Sequence, residues 1–121
     1  MDPAEFVKAI KLYACDLSVD GTAKNLLRPS GRRPHPDLLK LSAWFKQLPA
    51  DDQITVLDVA REAAENAIFG VFCILDGVRA IENGTGKGGF EIHYVKGDEK
   101  VLLNATNGEM LHDIFQGLRS K

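Results

Sequence analysis

The apolar residues between Asp51 and Asn107 change their spacing partway along, and this change constrains the fold more than any other feature. Up to about Leu75 they recur every three or four residues, which is the period of an amphipathic helix. From Phe90 onward they recur every second residue, which is the period of a half-buried strand. The stretch therefore predicts a long helix that leads into antiparallel strands. The helical set is Val56, Ala60, Ala63, Ala67, Val71, Ile74 and Leu75, and the strand set is Phe90, Ile92 and Tyr94.

The N-terminal region predicts a first helix and then a long loop. Asp2 is suited to cap the helix, and Pro3 fits its first position. The apolar stripe of this helix is lost near Leu17, where we expect the helix to end. Glycine, proline and several cations follow, so that residues 18–36 are predicted to form a long basic surface loop.

Two more helices are predicted before the strands. The second runs from Pro36 to Leu48. Asp51 or Asp52 is expected to cap the third, which is the long one. A turn at Gly77 is favoured as its end, and continuation to Ile81 is the alternative.

The rest of the chain predicts a small sheet and one more helix. A turn at Asn107-Gly108 is expected to precede a last helix from Glu109 to about Leu118. The predicted fold is thus α+β: three N-terminal helices, a three-stranded antiparallel meander, and a C-terminal helix packed on one sheet face, in a single domain of residues 1–121. The strands are expected at Val78–Glu82, Phe90–Lys96 and Lys100–Asn104.

Charge is unevenly spread along the chain. The net charge is −2, with +3 over residues 1–48, −4 over residues 49–81 and −1 over residues 82–121. The isoelectric point near 5.9 argues against a general nucleic-acid binder, because such proteins usually carry a basic stripe and a much higher isoelectric point.

Other features of composition favour a cytoplasmic protein. The first residues are acidic and show no apolar signal segment. The longest apolar run, Ala67–Leu75, is well short of the roughly 20 residues that span a bilayer, so no membrane contact is expected. Cys15 and Cys73 both lie among apolar residues, which predicts buried, unreactive thiols.

The sequence shows no catalytic signature, and no cofactor or metal is predicted. Residues 84–89 combine glycines with Lys87, but the helix and the hydroxyl residue that a P-loop requires after its lysine are absent. The histidines lack metal-ligand spacing. His112 and Asp113 are adjacent on a predicted helix and therefore point about 100° apart.

The most coherent polar feature is a set of residues on the third helix, three or four residues apart, which places them on one stripe opposite the apolar one. Such a stripe is typical of a solvated helix face. It can also act as an acidic docking surface for a basic partner. The stripe consists of Asp51, Thr55, Asp58, Glu62 and Glu65.

Two segments resemble a family of small uncharacterised bacterial cytosolic proteins: residues 68–81, IFGVFCILDGVRAI, and residues 103–113, LNATNGEMLHD. The likeness covers roughly residues 36–118. It implies a bacterial cytosolic protein and supplies no catalytic residues. In size and charge the chain also resembles, more distantly, the small acidic α+β immunity proteins that neutralise toxins by surface binding.

Three functional hypotheses follow. The leading one is a non-enzymatic protein-binding or regulatory module that engages a protein partner through Asp51, Asp58, Glu62 and Glu65, with a homodimer as a further possibility. The second is a small-molecule binder or enzyme whose pocket lies between the sheet and the helices and uses Arg79, Glu91, His93 and His112. The third is a nucleic-acid accessory that uses the basic loop through Arg28, Arg32 and Arg33.

Overall fold

A long helical stretch opens the chain in the computed structural model, which describes residues 1–119. Helix α1 (Pro3–Ile10), a π-helical segment (Lys11–Asp16) and helix α2 (Leu17–Leu27) follow one another without a break. The prediction that this helix ends near Leu17 is wrong, and residues 18–27 do not belong to a loop. Val19 and Leu26 are both buried and lie seven residues apart, which is about two helical turns.

The connection after α2 is shorter than predicted. It spans residues 28–35 and contains Pro29, which suits a helix end because proline has no backbone N–H to donate. Helix α3 (Pro36–Lys46) then begins as expected, with proline in its first turn. The side chain of His35 caps α3 by accepting the N–H of Asp37 at 3.1 Å.

Helix α4 (Ala50–Leu75) is the predicted third helix. Pro49 stands at the N-cap position, so neither Asp51 nor Asp52 caps it; both lie in its first turn, where a carboxylate interacts favourably with the helix dipole. The end predicted at Gly77 is confirmed. Gly77 has φ +77°, and the N–H groups of Gly77 and Val78 donate to the carbonyls of Ile74 and Cys73 at 3.1 and 3.0 Å, the pattern of a Schellman motif.

The predicted three-stranded meander is wrong. The sheet has two antiparallel strands, β1 (His93–Lys96) and β2 (Glu99–Leu102), with His93 opposite Leu102 and Lys96 opposite Glu99. Residues 78–82 form no strand. Two of their side chains make other contacts: Arg79 lies against the backbone of Gly70, and Glu82 accepts the N–H of Gly88 at 3.0 Å.

Helix α5 (Leu111–Leu118) begins two residues later than predicted and packs against α1 and α4 instead of lying on the sheet face. The φ of Gly108 is not positive, so this glycine is not required by the backbone. Phe72 stands at the centre of the core, with its ring 6.0 Å from that of Phe6 and 5.6 Å from that of Phe115. The buried core cluster consists of Val7, Cys15, Phe72, Leu111 and Phe115.

Among residues 1–119, no helix has both the length and the apolar character that a bilayer-spanning segment requires. Ser120 and Lys121, which belong to the predicted domain 1–121, lie outside the described residues.

Candidate functional site

The N-terminal half of α4 carries most of the predicted acidic stripe on its exposed side. Asp51, Asp58 and Glu62 are all exposed, and Thr55 donates its hydroxyl to the carbonyl of Asp51 at 3.1 Å. Asp51 and Asp58 are seven residues apart and therefore lie about two turns apart on the same face. We refer to Asp51, Asp58 and Glu62 as the acidic face.

Glu65 does not belong to the acidic face, although its spacing predicts that it should. Its side chain is 2% exposed, and its carboxylate lies 3.9 Å from the Lys11 ammonium and 3.4 Å from Nε of Arg119. Elements from both ends of the chain cover this part of α4. Glu65 therefore stabilises the packing of the π segment and the C-terminal region on α4, and it is not available to a partner.

Exposed apolar side chains accompany the acidic face. Ile54 is 59% exposed and Val59 is 65% exposed. Each is adjacent in sequence to a residue of the stripe, so that apolar and acidic groups alternate around this part of the helix. Sequence reasoning missed them because it sorted residues into one apolar and one polar side. The signal was present, since Ile54 and Val59 depart from the apolar set that begins at Val56.

The cations near the acidic face either bind other residues or contact only its C-terminal end, at Glu62. Arg61 Nη1 donates to Asp16 at 3.0 Å instead of neutralising the stripe. Arg119 Nη2 lies 3.5 Å from Glu62 and donates to Asn66 at 2.8 Å. Within residues 1–119, Asp51 and Asp58 make no side-chain ion pair, so the negative charge of the acidic face is least compensated toward the start of α4.

Asp16 is held by two cations. Lys11 Nζ donates to its carboxylate at 2.6 Å and Arg61 at 3.0 Å. Burial alone would raise the pKa of Asp16, but the hydrogen bonds from Lys11 and Arg61 outweigh it and lower that pKa. Asp16 thereby links the π segment to α4 as an ionised carboxylate at neutral pH.

The residues of the predicted pocket lie in different surroundings. Arg79 lines a cavity of about 100 Å³ beside the glycine-rich segment, while Glu91 lines a separate open groove. His93 is exposed on β1, and His112 lies on α5. The described structure does not place all four around one cavity.

His112 forms a close pair with Asp76. Nδ1 of His112 lies 2.6 Å from a carboxylate oxygen of Asp76, whose side chain is 2% exposed. The same carboxylate accepts the backbone N–H groups of Leu111 and His112 at 3.2 and 2.8 Å. Asp76 therefore caps α5 from the end of α4, and the pair serves to join these two helices.

The predicted basic loop is present in part. Arg28, Arg32 and Arg33 are exposed in residues 28–35. Lys24, which the sequence places in the same loop, lies on α2. No aromatic side chain stands between these cations to stack on bases.

The cysteines do not form a site. Cys15 and Cys73 are free and buried, as predicted. Burial raises the pKa of the Cys15 thiol, which disfavours the reactive thiolate. No group of three potential metal ligands occurs in the part of the chain that the structure describes.

Comparison of the chain with protein-family models, with curated proteins and with solved structures finds no match.

Proposed function

We propose that this protein is a non-enzymatic protein-binding module, of regulatory or immunity type, that engages a basic protein partner through the acidic face of α4. We also propose that it works in the cytoplasm. The composition of the chain fits that compartment, and its reducing conditions keep thiols such as those of Cys15 and Cys73 free. The observation that carries the proposal is the exposed set Asp58, Val59 and Glu62. It combines charge with apolar area on one rigid helix.

The chemistry of this face suits recognition. Carboxylates on one side of a helix create a local potential that steers a basic partner and raises its association rate. Apolar groups among them supply the area that is removed from water once the partner has docked. Val59 and Ile54 offer such area, one on each side of the carboxylates.

A photo-crosslinking amino acid at position 59 tests the proposal in the cells from which the sequence comes. Val95 on β1 is the matched control, because it is 64% exposed against 65% for Val59 and lies on the hairpin. We expect a basic protein to be crosslinked from position 59 and not from position 95. Equal crosslinking of the same proteins from both positions, or none from position 59, would contradict the proposal.

Charge reversal provides a second arm of the test. Asp58→Lys with Glu62→Lys should leave the fold intact, because exposed charges contribute little to stability. It should slow association with the crosslinked partner, and the difference from the unaltered protein should shrink as salt rises. Asp98→Lys with Glu109→Lys is the control, since both residues are exposed and the change in net charge is the same. Equal association rates for the two double variants would argue against the acidic face.

A further inference from the structure

The chain exposes more surface than a compact monomer of its mass. Its accessible surface is 8562 Å². A typical folded monomer of 13.3 kDa exposes about 6,450 Å². The difference, about 2,100 Å², exceeds the roughly 800 Å² that each partner contributes to a standard protein interface. The excess is spread over the chain, including the exposed residues 77–91, and it is large enough to accommodate an interface of standard size.

Helix α3 leaves three large apolar side chains exposed within 11 residues: Leu39, Leu41 and Trp44. It packs against α2 through Phe45 and Ser42, its only buried residues, and Ser42 donates its hydroxyl to the carbonyl of Leu26 at 2.7 Å. Leu41 and Trp44 are 54% and 52% exposed and lie three residues apart, on one face of the helix. This face has no partner within the described chain.

Segments of opposite charge flank α3, which itself carries Asp37 in its first turn and Lys46 in its last. Arg32 and Arg33 come just before its first residue, and Asp51 and Asp52 lie in the first turn of α4, just after its end. All four are exposed and none forms an ion pair within residues 1–119. With 11 residues, α3 is about 16 Å long, and the two groups lie beyond its opposite ends.

Hydrogen bonds hold the connection between α3 and α4 in place. The side-chain amide of Gln53 on α4 donates to the carbonyls of Phe45 and Leu48, at 3.1 and 3.3 Å. These bonds satisfy carbonyls at the end of α3 and fix its position relative to the start of α4. The positive and negative segments that flank α3 are therefore presented in a defined arrangement.

We propose that a second copy of this chain covers α3, with the two α3 helices packed antiparallel about a twofold axis. An antiparallel arrangement brings the start of one α3 beside the end of the other. Arg32 and Arg33 of each copy then contact Asp51 and Asp52 of the other, and Leu41 and Trp44 of both copies form the apolar centre. A twofold interface is self-complementary, which is what a helix flanked by segments of opposite charge provides.

This inference goes beyond the proposed function and shares one residue with it, Asp51. The dimer uses Asp51 and Asp52 at the start of α4, whereas the substitutions and the crosslinking position that test the docking of a basic partner lie farther along, at Asp58, Val59 and Glu62. Failure of one therefore does not imply failure of the other, and the two sets of variants report on them separately.

A charge-swap experiment, read by sedimentation equilibrium on the full chain, tests the dimer. Arg32→Glu with Arg33→Glu should lose the dimer, because each acidic loop then faces the carboxylates of the other copy. Asp51→Lys with Asp52→Lys should lose it for the opposite reason. An equimolar mixture of the two variants should regain a heterodimer, since both of its contacts again join opposite charges. Lys96→Glu with Lys100→Glu, on the exposed hairpin, is the control and should remain dimeric.

The apolar centre is tested by Leu41→Asp, a change on an exposed position that should give a folded monomer by circular dichroism and sedimentation. The inference is overturned if the unaltered chain is monomeric at every concentration. It is also overturned if either charge variant or Leu41→Asp dimerises like the unaltered chain, or if the mixed charge variants stay monomeric. If a different protein covers α3, the unaltered chain should be monomeric at every concentration, while crosslinking from position 59 should be unaffected.

Discussion

The two ends of the molecule differ in how many of their side chains are buried or paired within the chain. At the closed end, α1, the π segment, the C-terminal half of α4 and α5 enclose the buried core around Phe72. At the open end, α2, α3 and the N-terminal half of α4 bury little beyond Val19, Leu26 and Phe45. The large apolar residues exposed at the open end are Leu17, Leu27, Leu39, Leu41, Trp44, Ile54 and Val59.

The charges follow the same division. At the closed end, Glu65 contacts Lys11 and Arg119, and Asp76 binds His112 and the start of α5. At the open end, Asp58 and Arg32 are exposed without an ion pair in the described chain. The closed end therefore encloses a core and pairs its buried charges, although Leu12, Tyr13 and Val71 are exposed on its outer side, while the open end has little core and leaves charges such as Asp58 and Arg32 without an ion pair in the described chain.

The comparison of Glu65 with Glu62 should give the largest effect. Glu65→Gln removes a buried negative charge beside two cations and should reduce the free energy of unfolding by about 3 kcal/mol. Glu62→Gln should change it by less than about 0.5 kcal/mol, because Glu62 is exposed. Urea unfolding of both variants measures the difference. Similar losses of unfolding free energy in the two variants would contradict the distinction between the closed and the open end.

The turn glycines should show a smaller effect. Gly77 has φ +77°, so Gly77→Ala should cost about 1 kcal/mol. Gly108 has no positive φ, and no atom lies within 4 Å of where its Cβ would stand. Gly108→Ala should therefore be close to neutral. Thermal unfolding of the two variants shows which turn requires a glycine. Equal unfolding midpoints would contradict the conclusion that Gly77 is required and Gly108 is not.

Acid should act through Asp16, where the π segment meets α4. Its lowered pKa means that its contribution to stability is present above the unfolded value of 3.8 and is lost as pH falls through the folded value. Asp16→Asn should destabilise the chain at neutral pH by less than about 1 kcal/mol, because the carboxylate is partly exposed. The difference from the unaltered protein should shrink below about pH 4. A difference that stays constant with pH would assign the loss to packing.

Local patterns predicted the parts of the fold that local forces determine. The helical conformation of α4, the proline start of α3 and the Asp76-Gly77 turn each depend on neighbouring residues, and the structure confirms them. The buried side of α4 is not the predicted one, since Phe72 and Cys73 are buried while Ala63, Ala67 and Val71 are exposed. The hairpin is present, but the third strand at Val78–Glu82 is not, because alternation cannot show whether a segment finds a neighbour to pair with.

The candidate site could be predicted only in part for the same reason. Spacing shows which side of α4 a residue occupies, and it placed Asp58 and Glu62 correctly. It cannot show that the π segment and Arg119 cover that side by the time the helix reaches Glu65. Nor can it show that Trp44 is uncovered, since an apolar residue on a short helix looks the same in sequence whether or not another element packs on it.

Trp44 offers the most direct test that the open end is a contact surface, because it is the only tryptophan in the chain and is 52% exposed. Its fluorescence can be followed over a wide dilution series of the purified protein. We expect emission typical of a buried indole at high concentration and a shift to longer wavelength on dilution, as the second copy dissociates from α3. Emission of a water-exposed indole at every concentration would contradict the covering of α3 by a second copy.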